Sequence, residues 1–240
     1  MVFLKHSHSV NQLPAIFRTL VDQRYRRAYR SLRDLPAIKF DTLVDAGAHR
    51  GSFTEAFLQV HAPSRVVLVE AVPELAGTLR QRYDHRAGFS VVAAALSDRN
   101  GEADFELNRS LASSSLLKID SRNANWFGLD LAVARVVRVP TLTLKQLFEE
   151  QELGKIDLLK LDLQGAERLV LTGGVDVLPR VRVIYTEVFF EPLYAGAWLF
   201  WELNEFLALH GFKLCGISHV AHGRNGDLLQ ANAIFRQRHL

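Results

Sequence analysis

The chain lacks most of the features that mark secreted and membrane proteins. Cys215 is its single cysteine, so the chain cannot form an internal disulfide framework. The first ten residues contain no apolar core of a signal peptide, and no stretch approaches the roughly 18 continuous apolar residues of a membrane-spanning helix. These absences predict a protein of a reducing compartment, and we expect a cytoplasmic location.

Several motifs of catalysis and binding are also missing. No spacing of His, Cys and Asp resembles a zinc site, and neither a P-loop nor a G-x-S-x-G nucleophile motif occurs. The net charge is +3, but residues 1–34 contain seven basic and two acidic side chains, so the remaining residues have a net charge of −2. The body of the protein is therefore not expected to bind nucleic acid.

The stretch 42–53 has the pattern of a buried strand, a glycine turn and the start of a helix. Gly47 and Gly51 can adopt backbone angles that are closed to other residues. A dinucleotide-binding turn requires G-x-G-x-x-G, whereas this turn is Asp45-x-Gly47-x-x-x-Gly51. An acidic residue at the end of the strand would repel a pyrophosphate. It suits S-adenosylmethionine (SAM), which has a sulfonium and an ammonium group.

A second acidic residue, Glu70, ends the next predicted strand. A carboxylate at this position can accept hydrogen bonds from both hydroxyls of a ribose. A surface salt bridge is the plainer alternative for Glu70, as a helix N-cap is for Asp45. The turn alone is a weak signal, but the turn together with Glu70 favours a SAM site.

The rest of the chain alternates strands and helices. The patterns predict core strands at about 41–46, 65–70, 89–96, 156–162 and 181–188. They predict five helices. The first is 53–62, with a capping box at Ser52, and the second begins at Pro73. The third runs from a capping box at Thr143 to Gly154, a short fourth helix ends at Leu171, and the fifth is 197–210. Two last strands, 212–218 and 228–235, flank the hairpin pair Asn225-Gly226. This order predicts an α/β fold with a mostly parallel seven-stranded sheet, a C-terminal antiparallel hairpin and helices on both faces.

The N-terminal residues 1–38 are predicted to form a basic amphipathic helical extension to one domain at 39–240. Apolar residues recur at helical spacing from Pro14 to Arg33, and arginines occupy most other positions. The simplest interpretation is a helix that packs its apolar stripe on the domain. Weak contact with an anionic membrane surface and a homodimer contact are the alternatives.

Four segments resemble the FkbM family of SAM-dependent methyltransferases, in the family's order and over about residues 40–236. They are Val44–Gly51, Val69–Pro73, Ala95–Gly101 and Leu159–Glu167. The family usually has valine-glutamate where this chain has Leu163-Gln164, so one carboxylate is replaced. The resemblance implies the class I methyltransferase (Rossmann-like) fold and transfer of methyl to oxygen on sugars, glycans or natural products.

Nine residues are expected to bind SAM. Asp45 and Gly47 would frame its methionine end, Glu70 its ribose, and Ser97 and Asp98 its adenine edge, although Asp98 also fits a simple turn. The full set is Asp45, Gly47, Ala48, Gly51, Glu70, Ala71, Ser97, Asp98 and Asp162.

Three residues are candidates for catalysis: Asp162, Glu187 and His219. Asp162 and Glu187 end neighbouring predicted strands, so they could converge as a general base or hold a divalent cation. The alternative is that Glu167 and Glu187 pair with basic neighbours such as Lys160 and Arg168. For His219, as for His222, solvation is the default. Five aromatic residues could wall an acceptor pocket, but such groups more often belong to the core: Phe189, Phe190, Tyr194, Trp198 and Trp201.

The sequence therefore predicts a SAM-dependent methyltransferase that acts on a hydroxyl of a sugar, glycan or secondary metabolite. Two rival functions remain. One is a nicotinamide-dependent oxidoreductase, which would need the missing third glycine and a catalytic Tyr-Lys or His arrangement. The other is a non-catalytic protein that binds SAM or a partner through the basic N-terminal segment.

Overall fold

The structure is a computed structural model and describes residues 29–30, 32–120, 131–223 and 225–239. Ten strands lie in these ranges: β1 (Thr42–Ala46), β2 (Arg65–Val69), β3 (Phe89–Val92), β4 (Ala95–Leu96), β5 (Gly101–Asn108), β6 (Val133–Leu142), β7 (Ile156–Leu161), β8 (Val181–Phe189), β9 (Phe212–His222) and β10 (Leu228–Gln237). The same ranges contain five α-helices: α1 (Ser52–Phe57), α2 (Pro73–Tyr83), α3 (Leu144–Glu150), α4 (Glu167–Thr172) and α5 (Phe200–Leu209).

Seven strands form one sheet in the order β3-β2-β1-β7-β8-β10-β9. The first five of these are parallel, and β10 runs antiparallel to both β8 and β9. This confirms the predicted mostly parallel sheet with its C-terminal hairpin. The chain reverses its direction of winding at β1, and open α/β sheets bind ligands at the carboxyl ends of the strands beside such a point.

The apolar strands are covered on both faces. Every residue of β7 is buried, as its nearly continuous apolar sequence predicts for a central parallel strand. One large cluster of buried side chains covers one face of the sheet, and a second cluster, which includes Phe53, Phe57 and Tyr83, covers the other. The sheet is therefore well packed on both faces, and it supports the loops at its carboxyl edge, where a site can form.

The predicted third strand (89–96) is wrong as one element. Its first half is β3 of the large sheet, and its second half is β4, which joins β6 and β5 in a separate three-stranded sheet. Two intervening alanines, Ala93 and Ala94, carry the chain from one sheet to the other. The composition of the run is apolar throughout, so hydrophobicity alone does not reveal the break.

Helix ends also differ from the prediction in places. The N-cap of α1 is Gly51 without a side-chain cap, so the capping box predicted at Ser52 is wrong. Thr54 instead donates a hydrogen bond to Asp45, and Glu55 pairs with Arg82. Thr143 does cap α3, because its hydroxyl oxygen accepts from the backbone N–H of Gln146 at 3.1 Å. Helix α3 ends at Glu150, short of Gly154, and α5 is shorter than the predicted 197–210 helix.

Most of the predicted N-terminal helix lies outside the described residues, and so does the segment 121–130. Leu32 and Leu35 are described, and they pack with Phe40 in the second core cluster. No helix within the described ranges is both long and apolar enough to cross a membrane. Four of the five aromatic residues after Glu187 pack in or against core clusters, whereas Trp201 is 55% exposed.

Candidate functional site

Two adjoining cavities lie at the carboxyl edge of the sheet. The glycine-turn cavity is lined by residues that include Gly47, Glu70, Ala71, Val72, Ala95, Leu96 and Phe105. The polar cavity is lined by residues that include Ser52, Ser113, Lys160, Glu187, Gln230 and Asn232. Gly47, Asp162 and Gln164 line both cavities. These three residues therefore form part of the boundary across which two ligands could meet.

The turn after β1 is built from backbone. Gly47 has φ +72°, and its N–H donates to the carbonyl of Val69 at 3.0 Å. A Cβ atom at Gly47 would lie 2.1 Å from the carbonyl oxygen of Asp162, so no side chain fits there. Ala48 also donates its N–H to Val69, and it lines the polar cavity. The turn is thus held between the ends of β2 and β7.

Glu70 is 5% exposed and lines the glycine-turn cavity. Its Oε2 accepts from the N–H of His49 at 2.7 Å, and its Oε1 accepts from the N–H of Val72 at 2.8 Å. Burial raises the pKa of Glu70, while these two N–H groups and Lys160 act in the opposite direction. Both carboxylate oxygens are fixed by backbone and keep lone pairs for a ligand, which suits the recognition of a diol.

Asp45 does not line either cavity. It is fully buried, with Oδ2 2.7 Å from the donating Thr54 hydroxyl and Oδ1 3.0 Å from Lys160 Nζ. The structure therefore places Asp45 behind the glycine turn, where its side chain supports the turn from within. The predicted side-chain contact with the methionine end of a ligand finds no support in this arrangement.

Lys160 ties the turn to β7. Its side chain is 5% exposed, and Nζ donates to the carbonyl of Gly47 at 2.8 Å and lies 3.7 Å from Asp162 Oδ2. Burial lowers the pKa of Lys160, but Asp45, Asp162 and Glu70 outweigh it and raise the pKa above its ordinary value. Lys160 therefore remains a cation at neutral pH, and its positive charge faces the polar cavity.

Asp162 and Glu187 converge, as the sequence predicts. Asp162 follows β7, Glu187 lies in the neighbouring strand β8, and both line the polar cavity. Gln164 bridges them: its Nε2 donates to Asp162 Oδ1 at 2.7 Å and to Glu187 Oε2 at 2.8 Å. The residue at which the chain departs from the family pattern thus connects the two carboxylates.

Of the remaining predicted site residues, only Ala71 lines a cavity. Gly51 caps α1, and a Cβ there would meet Leu79 and Tyr83, so its role is packing against α2. Ser97 and Asp98 follow β4 but line neither cavity. Ala94, Ala95 and Leu96, which directly precede them, line the glycine-turn cavity instead. Ala71 does line the glycine-turn cavity, in front of α2.

His219 is not brought to the cavities. It lies in edge strand β9 at a bulge, with φ +52°, and its Nδ1 is 3.4 Å from the hydroxyl of Ser218. It does not line the polar cavity, which receives Gln230 and Asn232 from the neighbouring strand β10 instead. The structure therefore gives no support for a catalytic role of His219.

Glu167 supports the loop behind Asp162. It is 3% exposed at the first position of α4, and its Oε1 accepts from the N–H of Leu163 at 2.7 Å. Burial raises the pKa of Glu167 to about 7. It is not ion-paired to Arg168, whose guanidinium donates to the carbonyl of Gly196. The predicted stabilising position at a helix start fits the structure better than the predicted pairing with a basic neighbour.

Two features of the site were not assigned a role from the sequence. From the sequence, Lys160 is only a possible partner for the glutamates, and Gln164 is only the loss of a carboxylate. An isolated lysine in an apolar strand such as Leu159-Lys160-Leu161 is a usable signal, because a buried charge requires a partner. Asp162 is two residues from Gln164, but its other partners, Glu187 and Tyr194, come from distant positions and have no local signal.

The residues of the glycine-turn cavity fit SAM. Gly47 lines the cavity in a turn packed against the Asp162 carbonyl, and Glu70 presents fixed acceptors to ribose hydroxyls. Ala95, Leu96 and Phe105 offer an apolar surface to a purine ring. For the divalent cation that the sequence left open, the described residues contain no group of three or more His, Cys, Asp or Glu side chains that could hold a metal.

Comparisons with known proteins agree with this geometry. A family model described as "Methyltransferase FkbM domain" matches residues 45–214. The 2-O-methyltransferase NoeI of Sinorhizobium fredii (strain NBRC 101917 / NGR234) is 27% identical over 199 residues, which cover 79% of each chain.

Two solved structures share the fold. Methyltransferase FkbM from Methylobacillus flagellatus KT is 13% identical with a TM-score of 0.53, and the match covers 87% of this chain and 47% of that one. A Haloferax volcanii structure of the Trm112 methyltransferase activator with its methyltransferase matches at 12% identity and a TM-score of 0.51, with 94% of both chains covered. With the family model spanning most of the chain and a cavity that fits SAM, the chain belongs to the FkbM family of SAM-dependent methyltransferases.

Proposed function

We propose that the protein transfers a methyl group to a hydroxyl oxygen of a sugar, a glycan or a secondary metabolite. The observation that carries this proposal is the position of Asp162. This carboxylate lines both the glycine-turn cavity, which fits SAM, and the polar cavity, which is open to an acceptor. A base is needed at such a boundary, because an acceptor hydroxyl loses its proton as it receives the methyl group.

The lining of the polar cavity supports a hydroxylated acceptor. Its volume is about 320 Å³, enough for a small molecule or part of a larger one. Hydroxyl, amide and carboxylate groups surround this space, and they come from the glycine turn, the 110–113 segment, β8 and β10. The relative NoeI is described as a 2-O-methyltransferase, which agrees with oxygen as the acceptor atom.

The protein's own groups would act mainly by positioning. SAM supplies a methyl group that is already activated by its sulfonium. Asp162, with its side chain 47% exposed, would accept the hydroxyl proton, and Glu187 would accept a second hydrogen bond from the acceptor. Alignment of two bound reactants contributes about 7–11 kcal/mol to lowering the barrier, so a strong base is not required.

An acceptor screen tests the proposal. The full chain is incubated with SAM and a panel that contains monosaccharides, oligosaccharides, phenolic natural products, amines and RNA, and S-adenosylhomocysteine (SAH) release is measured. We expect methylated products among the hydroxylated acceptors, with the methyl group on oxygen by mass spectrometry and NMR. Methylation confined to nitrogen, carbon or RNA would contradict the proposal.

The change Asp162→Asn separates catalysis from cofactor binding. It removes the base but keeps the size of the side chain, so we expect kcat to fall by about 100-fold or more while the Kd for SAM stays within a few-fold. Asp176→Asn is the matched control, because Asp176 is 78% exposed and remote from both cavities. Full activity in the Asp162 variant would remove this residue from the mechanism.

Thermal shift measurements distinguish the rival functions. Stabilisation by SAM and SAH, and none by NAD, is the expected result. Stabilisation by NAD alone would favour an oxidoreductase. Tight SAM binding without turnover on any acceptor of the panel would favour a non-catalytic binding protein.

A further inference from the structure

We propose that Gln164 is a positioning residue whose side-chain amide holds Asp162 and Glu187 together as a pair facing the acceptor. This inference rests on the proposed function for the role of the pair, but its structural part stands on the contacts alone. One nitrogen, Gln164 Nε2, lies 2.7 Å from a carboxylate oxygen of Asp162 and 2.8 Å from one of Glu187. Each N–H of the amide therefore has a carboxylate as its partner.

The orientation of the amide is determined by its surroundings. The hydroxyl of Tyr194 lies 2.9 Å from Gln164 Oε1 and 3.0 Å from the carbonyl oxygen of Ser113, so its one proton is shared between these two acceptors. An amide turned over by 180° would direct its oxygen at two carboxylates, which can only accept hydrogen bonds when ionised. The nitrogen must consequently face Asp162 and Glu187, and the tyrosine reinforces that orientation from the other side.

The backbone also holds Gln164 in place. Gln164 has φ +55° and Gly165 has φ +89°, a pair of left-handed conformations that turns the chain sharply after β7. The hydroxyl of Ser115 donates to the carbonyl of Gln164 at 2.8 Å, and a Cβ at Gly165 would lie 2.8 Å from Tyr194. Strain of this kind persists where the surrounding structure fixes it, and here it aims the amide between the two acids.

Electrostatics explain why an amide is suited to this position. Two carboxylates close together repel each other, and a third would force one of them to bind a proton. A neutral donor between them satisfies both without adding negative charge. Among the described residues, titratable groups near the bridge come from several elements: His49 in the glycine turn, Lys160 in β7, Asp162 after β7, Glu167 in α4, Tyr185 and Glu187 in β8, and Tyr194 after β8.

The isosteric change Gln164→Glu tests the role. It replaces the donating nitrogen by an acceptor oxygen, so three carboxylates meet at one point. We expect kcat/KM for the acceptor to fall by about 100-fold at about pH 8, because repulsion among the three carboxyl groups displaces the pair. The loss should shrink toward about pH 5, where a protonated carboxyl at 164 can again donate a hydrogen bond.

Stability gives a second readout that needs no acceptor. The carboxyl at 164 would have a higher pKa in the folded than in the unfolded chain, so the variant's stability relative to wild type should fall as pH rises from about 4.3 toward that higher value. Thermal unfolding across this range measures the difference. Gln146→Glu is the matched control, because Gln146 Nε2 also donates to a carboxylate, that of Glu150 at 3.0 Å, but on the exposed surface of α3.

The outcomes separate the inference from the proposed function. A Gln164→Glu melting temperature that follows the control at every pH would overturn the amide bridge. A pH-dependent loss of stability together with wild-type acceptor kinetics at every pH would overturn the positioning role. If no hydroxylated acceptor is methylated by the wild type, the proposed function fails, while the stability comparison still decides whether the bridge exists.

Discussion

The two cavities are built in different ways. The glycine-turn cavity is shaped by backbone: Gly47 allows the turn to pack against the Asp162 carbonyl oxygen, and two backbone N–H groups fix both oxygens of Glu70. The boundary with the polar cavity is shaped by side chains, since Gln164 joins Asp162 to Glu187 and is itself held by Tyr194. A site for a common cofactor can be encoded by a short local motif, whereas a site for a particular acceptor requires side chains from several elements.

The largest effect should come from Gly47→Ala. The new Cβ would meet the Asp162 carbonyl oxygen at 2.1 Å and would require a left-handed alanine. Strain and overpacking together should cost about 2–6 kcal/mol, so we expect the chain to lose measurable SAM binding in calorimetry. Gly77→Ala is the control, because no atom lies within 4 Å of its Cβ position, and an alanine there should stabilise α2 by about 0.5–1 kcal/mol. Unchanged SAM affinity in the Gly47 variant would mean that the turn is not the cofactor site.

The second largest effect should come from Lys160, whose ammonium group contacts both the glycine turn and Asp162. Lys160→Met leaves Asp45 fully buried without its cation, which should destabilise the fold by about 3–5 kcal/mol in chemical denaturation. Adding Asp45→Asn should recover part of that loss, because position 45 then carries no unpaired buried charge. Lys145→Met is the control: its ammonium is exposed and 4.0 Å from Asp176, so its loss should cost no more than about 1 kcal/mol. Equal stability of the two single variants would contradict the account of Lys160.

A smaller effect on stability, one that depends on pH, is expected at Glu167, which supports the loop behind Asp162. Its pKa is raised to about 7 from 4.5, so the protein should lose stability as pH rises through this interval, and Glu167→Gln should remove that loss. The free energy of unfolding of the variant should equal that of the wild type at about pH 4 and exceed it by at most about 3 kcal/mol above pH 7. Denaturation at several pH values measures it. A difference that is constant with pH would mean that Glu167 is not titrating in the folded protein.

The difference between the two cavities also determines how much of the site can be predicted from the sequence. The strand-turn-helix of the cofactor side, the position of Glu70 and the convergence of Asp162 with Glu187 follow from local spacing and from the rule that parallel strands end at one edge. The motif predicts that Gly51 and Asp45 bind the ligand as well. The structure shows other contacts for both residues, since Gly51 packs against Tyr83 and Asp45 contacts Lys160.

The acceptor side could not be predicted in the same way. Gln164 looked like the loss of a carboxylate, and only the tertiary structure brings its amide between Asp162 and Glu187. Its other partner, Tyr194, is 30 residues away along the chain. The break between β3 and β4 was missed for a similar reason, since an apolar run does not show which sheet each half joins.

A crystal structure of the full chain with SAH tests the central claim most directly, namely that the two cavities meet at Asp162. We predict that the ribose hydroxyls contact Glu70, that the chain of the ligand passes Gly47, and that its sulfur lies at the boundary beside Asp162 and Gln164. A ligand bound elsewhere, or one whose sulfur points away from Asp162, would contradict the account.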